Sequence, residues 1–166
     1  MYTYLNKSKL SKFGLKFSIR YILYKLREWD FYSSQRIDYL IANSNFTAKR
    51  IKKYWGKDAE VIHPPVDIKR FSYDKDRQDF YLSVNRLVPN KRIDLLIRAF
   101  NKSGRSLIII GDGPERFRLE KMAKSNIRIL NKISDLEVEN YLSRCRAFVY
   151  AGLEDFGIAP VEAMAS

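Results

Sequence analysis

Cysteine and histidine are almost missing from this 166-residue chain, which has one of each, Cys145 and His63. A single thiol excludes an intrachain disulfide, and one Cys with one His excludes a zinc site built from several of them. Ser-His-Asp or Cys-His catalysis would have to run through His63 alone. This scarcity fits a reducing cytoplasm. Long apolar runs are missing too: no stretch reaches the roughly 18 consecutive apolar residues of a membrane span. Charges interrupt every apolar segment near the N-terminus, so no secretory signal is read there. Zinc-finger spacing, an aromatic RNP pattern and basic-zipper heptads are all absent. Nucleic acid is therefore not the expected partner. No internal repeat is seen.

What is present is globular in composition, with 46% apolar and 30% charged residues. The length suits one domain, or one domain and part of another, burying roughly 70% of its unfolded surface. Acidic charge is in short supply: 31 Lys and Arg face 19 Asp and Glu, a net charge of +12. Half of that excess lies between Met1 and Trp29, where Lys7, Lys9, Lys12, Lys16, Arg20, Lys25 and Arg27 face Glu28 alone. Leu10, Phe13, Phe17, Tyr21, Ile22, Tyr24 and Trp29 are interleaved with them. A basic helix of this kind reads either as a membrane-surface element or as a solvated helix whose apolar side packs on a protein body.

Beyond residue 30 the pattern alternates. Strand-like runs fall at 38–42, 60–63, 79–84, 107–110, 127–130 and 147–150, with helical stripes between them. Ala48, Ile51 and Trp55 mark one helix, ending at Gly56; Ile93, Leu96, Ile97 and Phe100 mark another. Ser134 and Glu137 form a capping box. The apolar run Leu107–Ile110 suits a strand buried on both faces. The pattern predicts an α/β fold, a Rossmann-like parallel sheet with helices on both faces. Pro64-Pro65 and the polar stretch 67–78 suggest a domain boundary. Ligands of such sheets bind at the carboxyl ends of the strands, which directs attention to loops 85–91, 111–114 and 151–160.

The first of these loops carries Arg86 and ends at Lys91, expected here as the first residue of a helix. A guanidinium, an ammonium and a helix N-terminus together suit a diphosphate, although two solvated loop cations would look the same. Gly111-Asp112-Gly113-Pro114-Glu115 turns tightly. It is neither a dinucleotide fingerprint, since position 116 is Arg, nor a P-loop. Pro114 and Pro160 are each expected to open a helix. Glu154 and Glu162 stand eight apart around Gly157 and Pro160, with Glu162 expected as the third helical residue. Such carboxylates can accept vicinal sugar hydroxyls. Glu162 also reads as a first-turn acid favoured by the helix dipole, and the pair also as hydrolase acids.

These segments resemble the group-1 glycosyltransferases of the GT-B fold, a retaining family that includes mannosyltransferases. The match runs through 38–48 with Val61–Asp67, then Ser83–Lys91, then Ile108–Glu115, and the E-x7-E motif of Glu154–Ser166 with its Glu-Ala-Met-Ala end. The resemblance implies that residues 1–60 are a remnant of the acceptor domain and crossover with a basic helical N-terminus. Residues 61–166 would be the nucleotide-sugar-binding domain, truncated at its end. It implies that Arg86 and Lys91 bind the donor diphosphate and stabilise the leaving group, and that Glu154 holds donor-sugar hydroxyls. Phe156, Gly157 and Ile158 would present backbone groups, Glu162 would take the ribose, and Gly111 and Gly113 would shape the nucleotide pocket. No metal or other cofactor is implied beyond the nucleotide-diphosphate sugar, with GDP-mannose favoured. The acceptor would be a glycan or a lipid-linked glycan. A cytoplasmic chain, peripheral on the inner membrane face through residues 1–29, would fit that acceptor. The chain is about half of what the family needs, so a complementary acceptor-domain chain, and little activity alone, are expected. The alternatives are a non-catalytic nucleotide-sugar-binding module, half of a split enzyme and, last, a basic nucleic-acid binder.

Overall fold

The computed structural model describes residues 13–72 and 76–166, the side chains of 13–16 excepted. The chain divides into a unit ending at His63 and a unit running Pro64–Ser166.

In the first unit, helix α1 (Phe13–Ser34) precedes strand β1 (Ile41–Ala42), helix α2 (Asn45–Trp55) and strand β2 (Glu60–Val61). β1 and β2 pair in parallel, so α2 is the crossover of a β-α-β unit. The Ser44 hydroxyl starts α2 by accepting the Thr47 amide at 3.1 Å. Gly56, at φ 72°, ends it by donating its amide to the Lys52 carbonyl. The Trp55 indole donates to Asp30 Oδ2 at 2.8 Å and the Gln35 amide to the Trp55 carbonyl at 3.0 Å, tying the end of α2 to α1. His63 places Nδ1 3.0 Å from the Asn43 carbonyl oxygen, a structural position. Along α1, Phe17, Tyr21, Trp29 and Tyr32 are 63–69% exposed. Of the basic and apolar segment read from the sequence, Lys7, Lys9, Leu10 and Lys12 lie outside the described residues, as does the side chain of Lys16. Among the described residues no helix is long and apolar enough to cross a membrane.

The second unit is built on four parallel strands: β3 (Tyr81–Val84), β4 (Leu107–Ile110), β5 (Ile127–Leu130) and β6 (Ala147–Phe148), in the order β5-β4-β3-β6. Helices α3 (Ile93–Ser103), α4 (Arg116–Met122) and α5 (Asp135–Arg144) connect them, and α6 (Ile158–Met164) follows β6. The all-apolar β4 serves both faces. Leu107 and Ile109 pack with Ile93, Ile97, Phe100 and Leu119 on one side. Ile108 and Ile110 pack with Phe80, Leu82, Leu142 and Cys145 on the other. The parallel sheet covered on both faces is thus present as read. Several strands are shorter than their sequence runs. β6 ends at Phe148, although the Val149 amide still donates to the Leu82 carbonyl at 2.8 Å.

Cys145 is buried, and burial is the main cause that pushes its thiol up, with the nearby Arg77 charge pulling the other way. The single cysteine is core, not a nucleophile. Arg77 donates to the carbonyls of Leu142 (3.3 Å), Cys145 (3.1 Å) and Ser166 (2.8 Å), closing the C-terminus of α5.

Candidate functional site

The strand order creates a switch point. The chain steps from β3 to β4 to β5 in one direction, then returns to lay β6 on the other side of β3. The loops leaving β3 and β6 therefore diverge, and the crevice between such loops is where open parallel sheets take ligands.

Lys91, on the loop after β3, and Glu154, on the loop after β6, meet at this point. Lys91 Nζ and the Tyr150 hydroxyl both donate to Glu154 Oε1. Lys91 Nζ also lies 6.0 Å from the centroid of the Tyr150 ring. The Lys91 and Glu154 side chains are 21% and 28% exposed. Burial disfavours the charged form of Glu154, but the bonds from Lys91 and Tyr150 outweigh it and hold the carboxyl below the usual carboxylate range. Burial likewise pulls Lys91 down, and its bonds to Glu154 and Tyr150 outweigh it and raise the ammonium. Burial first, then Glu154, pushes the Tyr150 phenol up. At neutral pH the three are an ammonium, a carboxylate and a neutral phenol.

Lys91 does not open the helix. Pro89–Lys91 form a 3-10 turn, Arg92 takes φ 53° and ψ 36°, and α3 starts at Ile93. A left-handed arginine costs roughly 1 kcal/mol. Lys91 thus lies before the helix, where it reaches Glu154 on the loop after β6. Arg86 is exposed, and its side chain makes no hydrogen bond or ion pair with another described residue.

The glycine turn lies directly against the Arg86 loop. Asn85 donates its amide to the Ile110 carbonyl (3.0 Å), Leu87 to Asp112 (2.9 Å) and Glu115 to Leu87 (3.1 Å). A Cβ on Gly111 would stand 1.8 Å from the Asn85 carbonyl oxygen, and one on Gly113 2.5 Å from that of Leu87. In this structure the two glycines admit the backbone that carries Arg86. Pro114 sits in the turn, two residues before α4.

In the E-x7-E segment, Gly157 at φ 88° caps α6, which begins at Ile158. Pro160 is therefore the third helical residue and Glu162 the fifth, not the first and third. Proline is tolerated throughout the first turn, where amides lack intrahelical partners. Phe156 and Gly157 are half-buried and Ile158 is exposed. Glu162 Oε1 accepts from Arg70 Nη2 at 3.3 Å, and Arg70 Nε reaches Glu139 Oε1 at 3.2 Å. Two separate ionic clusters result, Lys91 with Glu154 and Arg70 with Glu162. Sequence reasoning missed Tyr150 and Arg70. A tyrosine at a strand end four residues before Glu154 was a readable signal; Arg70 had none. Among the described residues no three His, Cys, Asp or Glu side chains group as metal ligands.

Residues 66–166 match the family described as glycosyl transferases, group 1. The O-antigen chain mannosyltransferase RfbU of Salmonella typhimurium is 27% identical over 146 residues, covering 81% of this chain and 41% of RfbU. The alpha-1,3/1,6-mannosyltransferase ALG2 of Candida glabrata is 27% identical over 183 residues, covering 76% of this chain and 40% of ALG2. Among solved structures, TarM superposes with a TM-score of 0.71 at 21% identity, covering 86% of this chain and 30% of TarM, a likeness of fold. The chain thus spans about two fifths of the curated relatives it matches.

Proposed function

The chain belongs to the group 1 glycosyl transferases, and from that membership we propose that it supplies the donor-binding half of a hexosyl transfer with retention of anomeric configuration. The donor is a nucleotide-diphosphate sugar. Mannose carried on GDP is the favoured case, in keeping with the mannosyltransferase relatives. The observation that carries this reading is the meeting of Lys91 and Glu154 at the switch point, with Arg86, exposed and unpartnered among the described residues, on the same loop as Lys91.

In this reading Arg86 and Lys91 neutralise the diphosphate, and no metal ion takes part. As the glycosidic bond breaks, negative charge grows on the leaving phosphate oxygen, where a fixed guanidinium and ammonium stabilise it most. Glu154 accepts hydroxyls of the sugar and Glu162 those of the ribose. Transfer requires donor and acceptor held in one closed cleft. The proposal therefore includes a glycan or lipid-linked acceptor and a complementary acceptor domain. The exposed aromatics of α1 and the basic residues 1–29 would bring the chain to the inner face of a membrane carrying that acceptor.

The test is thermal unfolding with GDP-mannose, UDP-glucose, UDP-N-acetylglucosamine and the bare nucleotides. Ligand at 100 times its dissociation constant stabilises by about 2.7 kcal/mol. The expected result is a shift with one donor that disappears in Arg86→Ala and Glu162→Ala. A cooperative transition unmoved by every donor sinks the reading. A chain that no donor shifts but that binds nucleic acid with a steep salt dependence, only slightly weakened by Arg86→Ala, would favour the basic-binder alternative.

A further inference from the structure

We infer that Tyr150 is a positioning residue for the donor sugar, holding Glu154 in place once the diphosphate has drawn the Lys91 charge to itself. The inference rests on the donor-site reading above and adds to it a residue outside the motifs.

Both donors to Glu154 fall on one oxygen, Oε1, and among the described residues Oε2 has no hydrogen-bond partner. Lys91 is a poor permanent holder of that carboxylate. A diphosphate carries more negative charge than Glu154 and competes for the same ammonium. If Lys91 were the sole support, donor binding would release the group that must grip the sugar. The Tyr150 hydroxyl is neutral and is not attracted away. Its bond to Oε1 persists while Lys91 shifts toward phosphate.

The packing fixes Tyr150 for this task. Its ring stacks on Phe148, with centroids 6.4 Å apart and planes 12° from parallel. Phe148 in turn packs against the core cluster of Phe80, Leu82 and Ile110. The hydroxyl is thus aimed from a ring anchored in the sheet. On the other side the chain leaves room for it. A Cβ on Gly152 would lie 3.0 Å from the Tyr150 hydroxyl oxygen and 3.1 Å from the Lys91 Cα, closer than side chains normally approach. The bare backbone at 152 lets the loop after β6 close over Tyr150 and Lys91 together. Burial and the Glu154 charge push the phenol up, so it remains a donor across the neutral range.

A sugar-positioning residue and a merely structural one differ in what they do to bare nucleotide. The experiment measures dissociation constants of the 166-residue chain for GDP-mannose against GDP, and for UDP-glucose against UDP, by calorimetry. It uses wild type, Tyr150→Phe, Glu154→Ala and the double variant. Tyr150→Phe keeps the stacked ring and removes only the hydroxyl. The expected result is a roughly tenfold loss for the sugar nucleotide, the value of one charge-assisted hydrogen bond, with the bare diphosphate unchanged. In the Glu154→Ala background the tyrosine substitution should have no further effect, because its action runs through the carboxylate. Equal losses for nucleotide and sugar nucleotide would show a structural role and overturn the inference. So would no loss at all, or a full additional loss in the double variant. A wild-type chain that binds neither diphosphate overturns the donor-site reading itself and this inference with it.

Discussion

Replacing Gly111 by alanine tests the packing that supports the Arg86 loop. The added Cβ would stand 1.8 Å from the Asn85 carbonyl oxygen and 2.9 Å from its carbon. A carbon and a carbonyl oxygen rest at about 3.3 Å, so the Asn85 peptide must retreat by about 1.5 Å. That movement breaks the bonds from the Asn85 amide to Ile110 and from the Leu87 amide to Asp112, each contributing about 1 kcal/mol. The φ of 148° adds about 1–2 kcal/mol of strain for a residue with a side chain. The expected destabilisation is about 3–4 kcal/mol, a fall in Tm of roughly 10 °C for a chain of this length. Gly113→Ala, whose Cβ would meet the Leu87 oxygen at 2.5 Å, should cost less. Urea unfolding of both variants beside wild type measures the difference. A loss under about 1 kcal/mol for Gly111→Ala, or the reverse order between the two, refutes the argument, because two ladder bonds cannot be broken so cheaply.

The Lys91 and Glu154 pair gives stability a defined pH dependence. Glu154 is held below the usual carboxylate range, so its contribution is complete above an unfolded value of about 4.3 and is lost as pH falls through the folded value. Lys91 is raised; its contribution is complete below about 10.4 and is lost as pH climbs through the folded value. Urea midpoints measured from pH 3 to 11 should therefore show both limbs, and Glu154→Gln should flatten the acid one; an unchanged acid limb contradicts the pairing. Arg77→Ala removes three carbonyl partners and should cost about 1–2 kcal/mol in the same assay. Cys145 should resist thiol reagents in the folded chain and react at the rate of global unfolding; rapid labelling of native protein would contradict its burial.

Much of the second unit was legible because local chemistry and tertiary position agree there. The β4 run is apolar at every residue since each face of the sheet carries helices, and the capping box of Ser134 and Glu137 forms as its spacing predicts. Helix starts were harder to read. Pro160 is compatible with several first-turn positions, and the left-handed Gly157 sets the start two residues earlier than the proline suggests. The 3-10 turn ending at Lys91 depends on Arg92 at φ 53°, a conformation rare enough outside glycine that no sequence pattern announces it. The Arg70 bridge to Glu162 spans 92 positions and follows from tertiary packing alone.

The site itself was legible as residues but not as an arrangement. Arg86, Lys91, Glu154 and Glu162 each stand out on loop chemistry, yet only the strand order brings Lys91 against Glu154. The two carboxylates then share one design. Each has Oε1 engaged by a cation, Lys91 for Glu154 and Arg70 for Glu162, before any ligand arrives. A hydroxyl donor can add to the other oxygen of either without breaking a bond to a described residue. Phosphate differs, because it must compete for Lys91 or use Arg86, whose side chain is bonded to no other described residue. In the donor-site reading this sets an order of engagement: Arg86 captures the diphosphate first, Lys91 is shared between phosphate and Glu154 next, and the carboxylates read the hydroxyls last. Removing Arg86 should then slow association, whereas removing Glu154 should speed dissociation.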